Sequence, residues 1–274
     1  MFYCSNNIDP INVVKEVLSL LKIKFKLTSS FSIGNPFIEL QQVESTNNYA
    51  TGTVHEGMAQ HGMAVFAHHQ TKGKGQHSKT WLGKPGMNIA ISIVLQPPHL
   101  SLSQSFLISM ATAVGVYEFF SRHAGSETKV KWPNDLYWRD RKAGGILIEN
   151  IVQGSEWKAA IVGIGININQ TGFETLETKA VSLKQITGKD YDVVAVAKDM
   201  CQHLTASYDV LHKLPSQIIE TYKNHLYKLN ETVRLKKGSR VFDATIKDVT
   251  ALGELIVQHA TEERFNAGEV EWLI

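Results

Sequence analysis

The chain has 274 residues, 43% of them hydrophobic and 20% charged, with a formal net charge of +2; this suits a globular protein and gives no bulk attraction for nucleic acid or an anionic membrane. Its two cysteines, Cys4 and Cys201, cannot build a disulfide framework or a zinc site by themselves, so a reducing cytoplasm is the expected compartment. No apolar run approaches the roughly 18–20 residues that span a bilayer, and the polar start MFYCSNNIDP does not read as a signal peptide.

Residues 1–30 read as an extension. Ile11, Val14, Val17, Leu18 and Leu21 have helical spacing after Asp9-Pro10, and Thr28-Ser29-Ser30 closes the segment like a linker. One short helix cannot bury itself, so the segment is expected to dock on the body or to be mobile. A strand is predicted at 37–43. Ser45-Thr46 then stands where a helix N-cap belongs, before a helix at 47–53. A strand at 63–70 leads into a Gly- and Lys-rich loop at 71–84. The next strand, 87–95, alternates, with Met87, Ile89, Ile91, Ile93 and Leu95 on one face. A buried helix covers 104–122. Strands at 128–132, 136–138, 145–152 and 158–167 are separated by polar turns, which favours antiparallel pairing. Helices follow at 193–212 and 215–225, with Pro215 in a first turn. The tail changes character. Short strands at 232–236, 241–249, 255–259, 264–266 and 269–273, punctuated by Gly238, Gly253 and Gly268, read as a small all-β barrel. The expected division is an extension at 1–30, a main body at 31–228 and a barrel at 229–274.

Three stretches carry chemistry. Gly73-Lys74-Gly75-Gln76-His77-Ser78-Lys79-Thr80-Trp81 follows a strand directly, and from Thr71 to Lys84 there are four lysines and no acid. Glycines let a backbone fold close to a ligand, lysines attract phosphate or carboxylate, and a tryptophan can cover a ring. It is not a P-loop: Ser78 replaces a required glycine, and Gly83, Pro85 and Gly86 prevent the helix that must follow. Alone, a solvated surface loop explains it equally well. Lys131-Trp132-Pro133-Asn134-Asp135 is more specific. Pro-Asn-Asp is turn chemistry, but here a cation, an aromatic plane, an amide and a carboxylate fall within five residues. Asn can read an adenine edge; Asp can orient a lysine or a magnesium ion. Seven residues on, Lys142 precedes Ala143-Gly144-Gly145, where it can set its ammonium against a transferring phosphoryl group. Finally, Gly163-Ile164-Gly165-Ile166-Asn167-Ile168-Asn169 lacks the third glycine of a dinucleotide fingerprint, and its asparagines read as strand-end polar residues or adenine contacts.

These segments, in this order, resemble the biotin–protein ligases from about Val43 to Asn169, and the C-terminal barrel matches as well. Glu44-Ser45-Thr46-Asn47 looks like the family's opening biotin motif, Gly73–Trp81 like its adenylate loop, and Lys131–Asp135 like its most specific signature. The resemblance implies an α+β fold, with a mixed or antiparallel sheet and packed helices as in class II synthetases, plus an SH3-like barrel. It implies that Ser45, Thr46 and Gln70 contact the biotin head group. Gly73 and Lys74 would contact biotin and the adenylate phosphate, and Gly145 would contact biotin through its backbone. Lys79 and Trp81 would close over the nucleotide, Asn134 and Asn167 would bind adenine, Asp135 would organise lysine and metal, and Lys142 would be the catalytic cation. ATP with Mg2+ is the implied co-substrate, a biotin carboxyl carrier protein the implied partner, and a homodimer is possible. Where the family loop carries arginines, this one has Lys74, Gln76, His77 and Lys79, which lack the planar fork that holds phosphate bidentately. A looser hold on the adenylate is expected.

The rival readings are a lipoate–protein ligase of the same fold, a non-catalytic carrier-binding module and a biotin-responsive DNA-binding repressor. The Trp-Pro-Asn-Asp turn and the lysine loop argue against the first, and the intact Lys142 set against the second. A helix-turn-helix needs at least two packed helices, and residues 1–36 have room for one, so no DNA binding is expected.

Overall fold

The computed structural model describes residues 31–76, 79–97, 100–173 and 179–273. The helix expected at 11–21 lies outside these, as do His77 and Ser78 of the loop. Ser32–Ile274 folds as one unit.

The main sheet is built, in chain order, from β1 (Phe37–Val43), β2 (Ala64–Gln70), β3 (Asn88–Leu95), β4 (Thr128–Lys131), β5 (Asp135–Trp138), β6 (Arg141–Gln153) and β7 (Glu156–Asn167). Its spatial order is β1-β2-β3-β7-β6-β5-β4. β1 and β2 run parallel, because helix α1 (Thr46–His55) crosses between them; the other neighbours are antiparallel, joined by turns. The sheet is therefore mixed, as expected. Ser45 caps α1 by accepting from the Asn48 amide, so the capping signal placed the helix start, while its end runs past the predicted residue 53.

The alternation in β3 does not mark a wet face, since all eight of its residues are buried. On one side Val94 joins Ala50 of α1, Met63, Val65, Ala159 and Ile161 in a core cluster. The other side is taken by long helices: α2 (Phe106–Ala124), α4 (Val193–Lys213) and α5 (Pro215–Asn224). Between α2 and α4 in the chain lies a short helix, α3 (Leu183–Thr187), which the periodicity misses. Its signal is local: Ser182 accepts from the Gln185 amide at 3.2 Å while Gln185 Oε1 accepts from the Ser182 amide, a capping box legible as Ser-x-x-Gln. β6 also starts earlier than the predicted residue 145, which places Lys142 inside the strand.

The tail forms a second, five-stranded antiparallel sheet from β8 (Thr232–Lys237), β9 (Arg240–Val249), β10 (Leu255–Gln258), β11 (Glu262–Phe265) and β12 (Glu271–Trp272), in the order β11-β10-β9-β8-β12. Leu235, Ile246, Leu255, Val257 and Phe265 fill its core. A buried tryptophan of the β4–β5 turn reaches the β9–β10 turn of this sheet. Trp132 is only 3% exposed and its Nε1 donates to the Gly253 carbonyl at 2.9 Å. No helix among the described residues is long and apolar enough to cross a membrane.

Candidate functional site

Opposed residues in an antiparallel pair point to the same face of a sheet. Asp135 opposes Gly145, Gly145 opposes Gly165, and Gly165 opposes Ala90. One row across four strands thus carries a carboxylate and then almost no side chain. The neighbouring row on that face is Leu147, Gly163 and Ser92. The pair Gly163 and Gly165 is explained by what presses on it. A Cβ at Gly165 would lie 2.5 Å from Cε2 of Trp81, and one at Gly163 would collide with the Asn47 side chain. The two glycines let an indole and an amide lie directly on the strand backbone, making a shallow trough on the α1 side of the sheet.

At one end of the trough stands an ion pair. Lys142 Nζ is 2.6 Å from Asp135 Oδ1, with the side chains 27% and 19% exposed. The lysine's backbone is clamped: its amide donates to the Lys179 carbonyl at 2.8 Å and its carbonyl accepts from the Val181 amide at 2.9 Å. Asn167 is buried and donates its side-chain amide to the Val181 carbonyl at 3.2 Å. Asn134 in the β4–β5 turn donates Nδ2 to the Ile146 carbonyl, and the Ile146 amide returns to the Asn134 carbonyl. Both asparagines thus spend N–H groups on fixing the strand that carries Lys142. Asn169 lies beyond β7 and makes a reciprocal pair with the Tyr191 backbone, the strand-end polar role.

At the other end is a chain of polar side chains. Gln70 Oε1 accepts from the Thr46 amide at 2.8 Å and from its hydroxyl at 3.0 Å. The buried Ser92 hydroxyl stands 2.7 Å from Thr46 Oγ1 and 2.5 Å from Asn47 Oδ1. Asn47 Nδ2 donates to Glu149 at 2.6 Å, and the other Glu149 oxygen takes Lys74 at 3.3 Å. The sequence motifs give no separate role to Asn47, although it closes Glu44-Ser45-Thr46-Asn47, and none to Ser92 or Glu149. The findable signal was Ser92, a lone hydroxyl in the middle of an otherwise apolar strand.

The glycine–lysine segment roofs the space between. Its described residues on either side of 77–78 are tied to each other. The Gly75 amide donates to the Lys79 carbonyl at 2.7 Å and the Trp81 amide to the Gly73 carbonyl at 2.9 Å. Gly73 is buried, Lys74 and Lys79 remain exposed, and Lys72 pairs with Glu44 at 2.7 Å. Under it lies a cleft of about 770 Å³ lined by Asn48, Gly73, Lys74, Lys79, Glu149 and, from the β11–β12 turn, Ala267. Of the residues singled out in the sequence, Ser45, Thr46, Gln70, Gly73, Lys74, Lys79 and Trp81 gather at the roof and polar end. Asn134, Asp135, Lys142, Gly145 and Asn167 gather at the ion-pair end.

The sequence profile of the biotin/lipoate A/B protein ligase family matches residues 39–167, and that of the biotin protein ligase C-terminal domain matches residues 228–272. The chain belongs to the biotin–protein ligases. It is 31% identical over 198 residues to the bifunctional ligase/repressor BirA of Bacillus spizizenii, covering 70% of this chain and 58% of that protein. With the Escherichia coli BirA it shares 29% over 236 residues, covering 82% of this chain and 70% of that one. The biotin protein ligase of Aquifex aeolicus, solved with biotin and ATP, superimposes with a TM-score of 0.72 at 25% identity over 86% of this chain and 97% of the other. The chain therefore spans little more than half the length of its Bacillus relative and nearly all of the Aquifex structure. Family membership covers both sheets, with the Gly163–Asn167 strand end inside the first match and Trp272 at the end of the second.

Proposed function

We propose that this chain activates biotin with ATP to biotinyl-5'-AMP and transfers the biotinyl group to a lysine of a biotin carboxyl carrier protein. The observation that carries this reading is the Lys142–Asp135 pair at the end of a glycine-floored trough whose opposite end is polar, with Glu149 there paired to Lys74. The bicyclic head of biotin would sit against Thr46, Gln70 and Ser45, with its tail running along Gly73 and Gly145. Its carboxylate would meet the α-phosphate beside Lys142. The carboxylate attacks the α-phosphorus and pyrophosphate leaves; a carrier lysine then attacks the mixed anhydride and AMP leaves. No protein nucleophile is needed, so the site's work is positioning and charge stabilisation. Trp81 offers its face to adenine, with Asn134 and Asn167 at its edge and Lys79 above the phosphates.

Magnesium would arrive with ATP. Among the described residues no group of three or more His, Cys, Asp or Glu side chains could hold a metal. Asp135 would be the carboxylate to touch a phosphate-bound ion, the mode magnesium favours. We infer the same domain division as above: a catalytic body to residue 228 and a C-terminal β domain from 229.

The test is transfer of labelled biotin to a carrier domain, with lipoate as competitor. Biotin-dependent pyrophosphate release and labelling that lipoate does not suppress are expected; preferential use of lipoate would sink the biotin reading. Two further outcomes follow. Gly165→Ala places a methyl inside the Trp81 contact and is expected to raise KM for ATP about 10-fold, at a stability cost of about 1–3 kcal/mol. An unchanged KM would remove Trp81 from the nucleotide site. Lys74→Arg is expected to slow escape of the adenylate, measured as trapping of free biotinyl-5'-AMP by hydroxylamine. The reason is that lysine has a single point of contact, and Lys74 is held by Glu149 at 3.3 Å.

A further inference from the structure

The trough does not end at Asp135. In register, Asp135 opposes Lys131 across the β4–β5 hairpin, so the ammonium of Lys131 continues the same row on the same face. Its surroundings are unusual for a lysine. Nζ stands 5.2 Å from the centre of the Tyr137 ring and 5.3 Å from that of Trp272, which comes from β12 of the second sheet. Tyr227 completes the wall, 5.0 Å from Tyr137 and 6.1 Å from Trp272 between ring centres. Tyr137 and Tyr227 are 5% and 4% exposed. The wall is rigid: the Tyr227 amide donates to the Val130 carbonyl at 2.8 Å, and its hydroxyl donates to Asp140 at 2.6 Å.

Burial pushes the Lys131 ammonium below the ordinary lysine range; Asp135 opposes this, while Lys142 and Lys79 add to it. Asp135, the carboxylate opposite Lys131 in register, is already bound to Lys142. Among the described residues Lys131 makes no ion pair within 4.0 Å. A cation that is half-dehydrated, stiffly walled by aromatic rings and left without its own carboxylate is poised for an external anion.

We propose that Lys131, walled by Tyr137 and by Trp272 of the C-terminal sheet, binds the pyrophosphate leaving group of ATP. The inference rests on the adenylation reading above. In that step the biotin carboxylate oxygen forms a bond to the α-phosphorus. The bond from that phosphorus to the bridging oxygen of the β-phosphate breaks, and its electron pair leaves on pyrophosphate. No proton has to move. Lys142 faces the attacking and central oxygens, and Lys131, one strand further out, faces the departing charge. The C-terminal sheet thereby contributes a wall to the reaction site, which is the functional sense of Trp272 reaching across to β4.

The test uses the full chain and the variants Lys131→Met, Lys131→Arg and Trp272→Ala, each checked for cooperative melting. Inorganic pyrophosphate and ATP are titrated calorimetrically, and both half-reactions are measured. Lys131→Met is expected to weaken pyrophosphate binding and raise KM for ATP by about 10- to 100-fold, the usual worth of a hydrogen bond to a charged group. KM for biotin, and transfer from supplied biotinyl-5'-AMP to a carrier domain, should stay within about twofold, because no pyrophosphate is present in that step. Lys131→Arg should restore most of the affinity. Trp272→Ala should shift the same two quantities in the same direction by less. Unchanged pyrophosphate binding in Lys131→Met, or equal loss in both half-reactions, would overturn the assignment. Failure of the adenylation reading is separately visible: the unaltered protein would then release no pyrophosphate with biotin, while the calorimetric arm would still report on Lys131.

Discussion

Lys142→Ala is expected to lower biotin-dependent pyrophosphate release by about 10²- to 10³-fold, the usual effect of removing one preorganised charge from a developing anion. The loss should appear in kcat more than in KM for biotin, because the proposed seat of the biotin head, the hydrogen-bonded Thr46 and Gln70, lies at the far end of the trough and is untouched by the substitution. The variant should still fold. Its β6 backbone is held by the Lys179 and Val181 bonds rather than by the side chain, and Asp135 keeps Lys131 opposite it in register. Pyrophosphate release by rapid mixing, paired with a melting curve, checks both halves of the expectation. Near-normal release would take Lys142 out of the chemistry. An unfolded variant would instead make its pair with Asp135 structural, and Lys142→Gln would then be the variant to measure.

Trp132→Ala should be the most destabilising single change in the signature turn. The side chain is 3% exposed, and its indole N–H is satisfied by the Gly253 carbonyl at 2.9 Å. Truncating a buried tryptophan typically costs about 3–5 kcal/mol. At about 2–4 °C per kcal/mol for a chain of this size, Tm should fall by about 6–20 °C. Trp132→Phe keeps most of the volume and forfeits the hydrogen bond, a loss of about 1 kcal/mol. Adenylation should suffer in Trp132→Ala beyond the stability loss, because Trp132 opens the three-residue turn that carries Asn134 and leads into Asp135. A variant that melts like the original protein would mean the second sheet is held to the first without this contact.

Much of the fold was legible because its signals are local. The Ser45 cap, the Pro215 first turn and the apolar runs of α2 and α4 each depend on residues within a few positions of one another. The five tail strands were found for the same reason, with no boundary off by more than two residues. Where prediction fell short, the deciding partner was distant. β3 alternates in sequence but is covered on both faces, because its neighbours in the sheet and both helix layers come from other parts of the chain. In the sequence the indole of Trp132 is an aromatic plane within a dense signature, with no partner indicated. It packs in the core beneath the second sheet, 121 residues further along the chain.

The glycines tell the same story from the other direction. Gly163-Ile164-Gly165 has no special meaning as a string, and as a dinucleotide fingerprint it fails. Its reason is the weight of Asn47 and Trp81 on that strand, a fact of three segments meeting.

The amino-acid sequence by itself determined the chemistry available here: lysines without arginines in the loop, a Trp-Pro-Asn-Asp turn, Lys142 beside small residues and a β-rich tail. Residue types and short spacings are properties of the string, and they were enough to point to one family. Only the tertiary structure decided which of these groups face each other. Strand register put Lys131, Asp135, Gly145 and Gly165 in one row, set Lys142 against Asp135, and brought Trp272 to Lys131. Pairing register follows from hydrophobic burial across the whole sheet, and no local pattern encodes it.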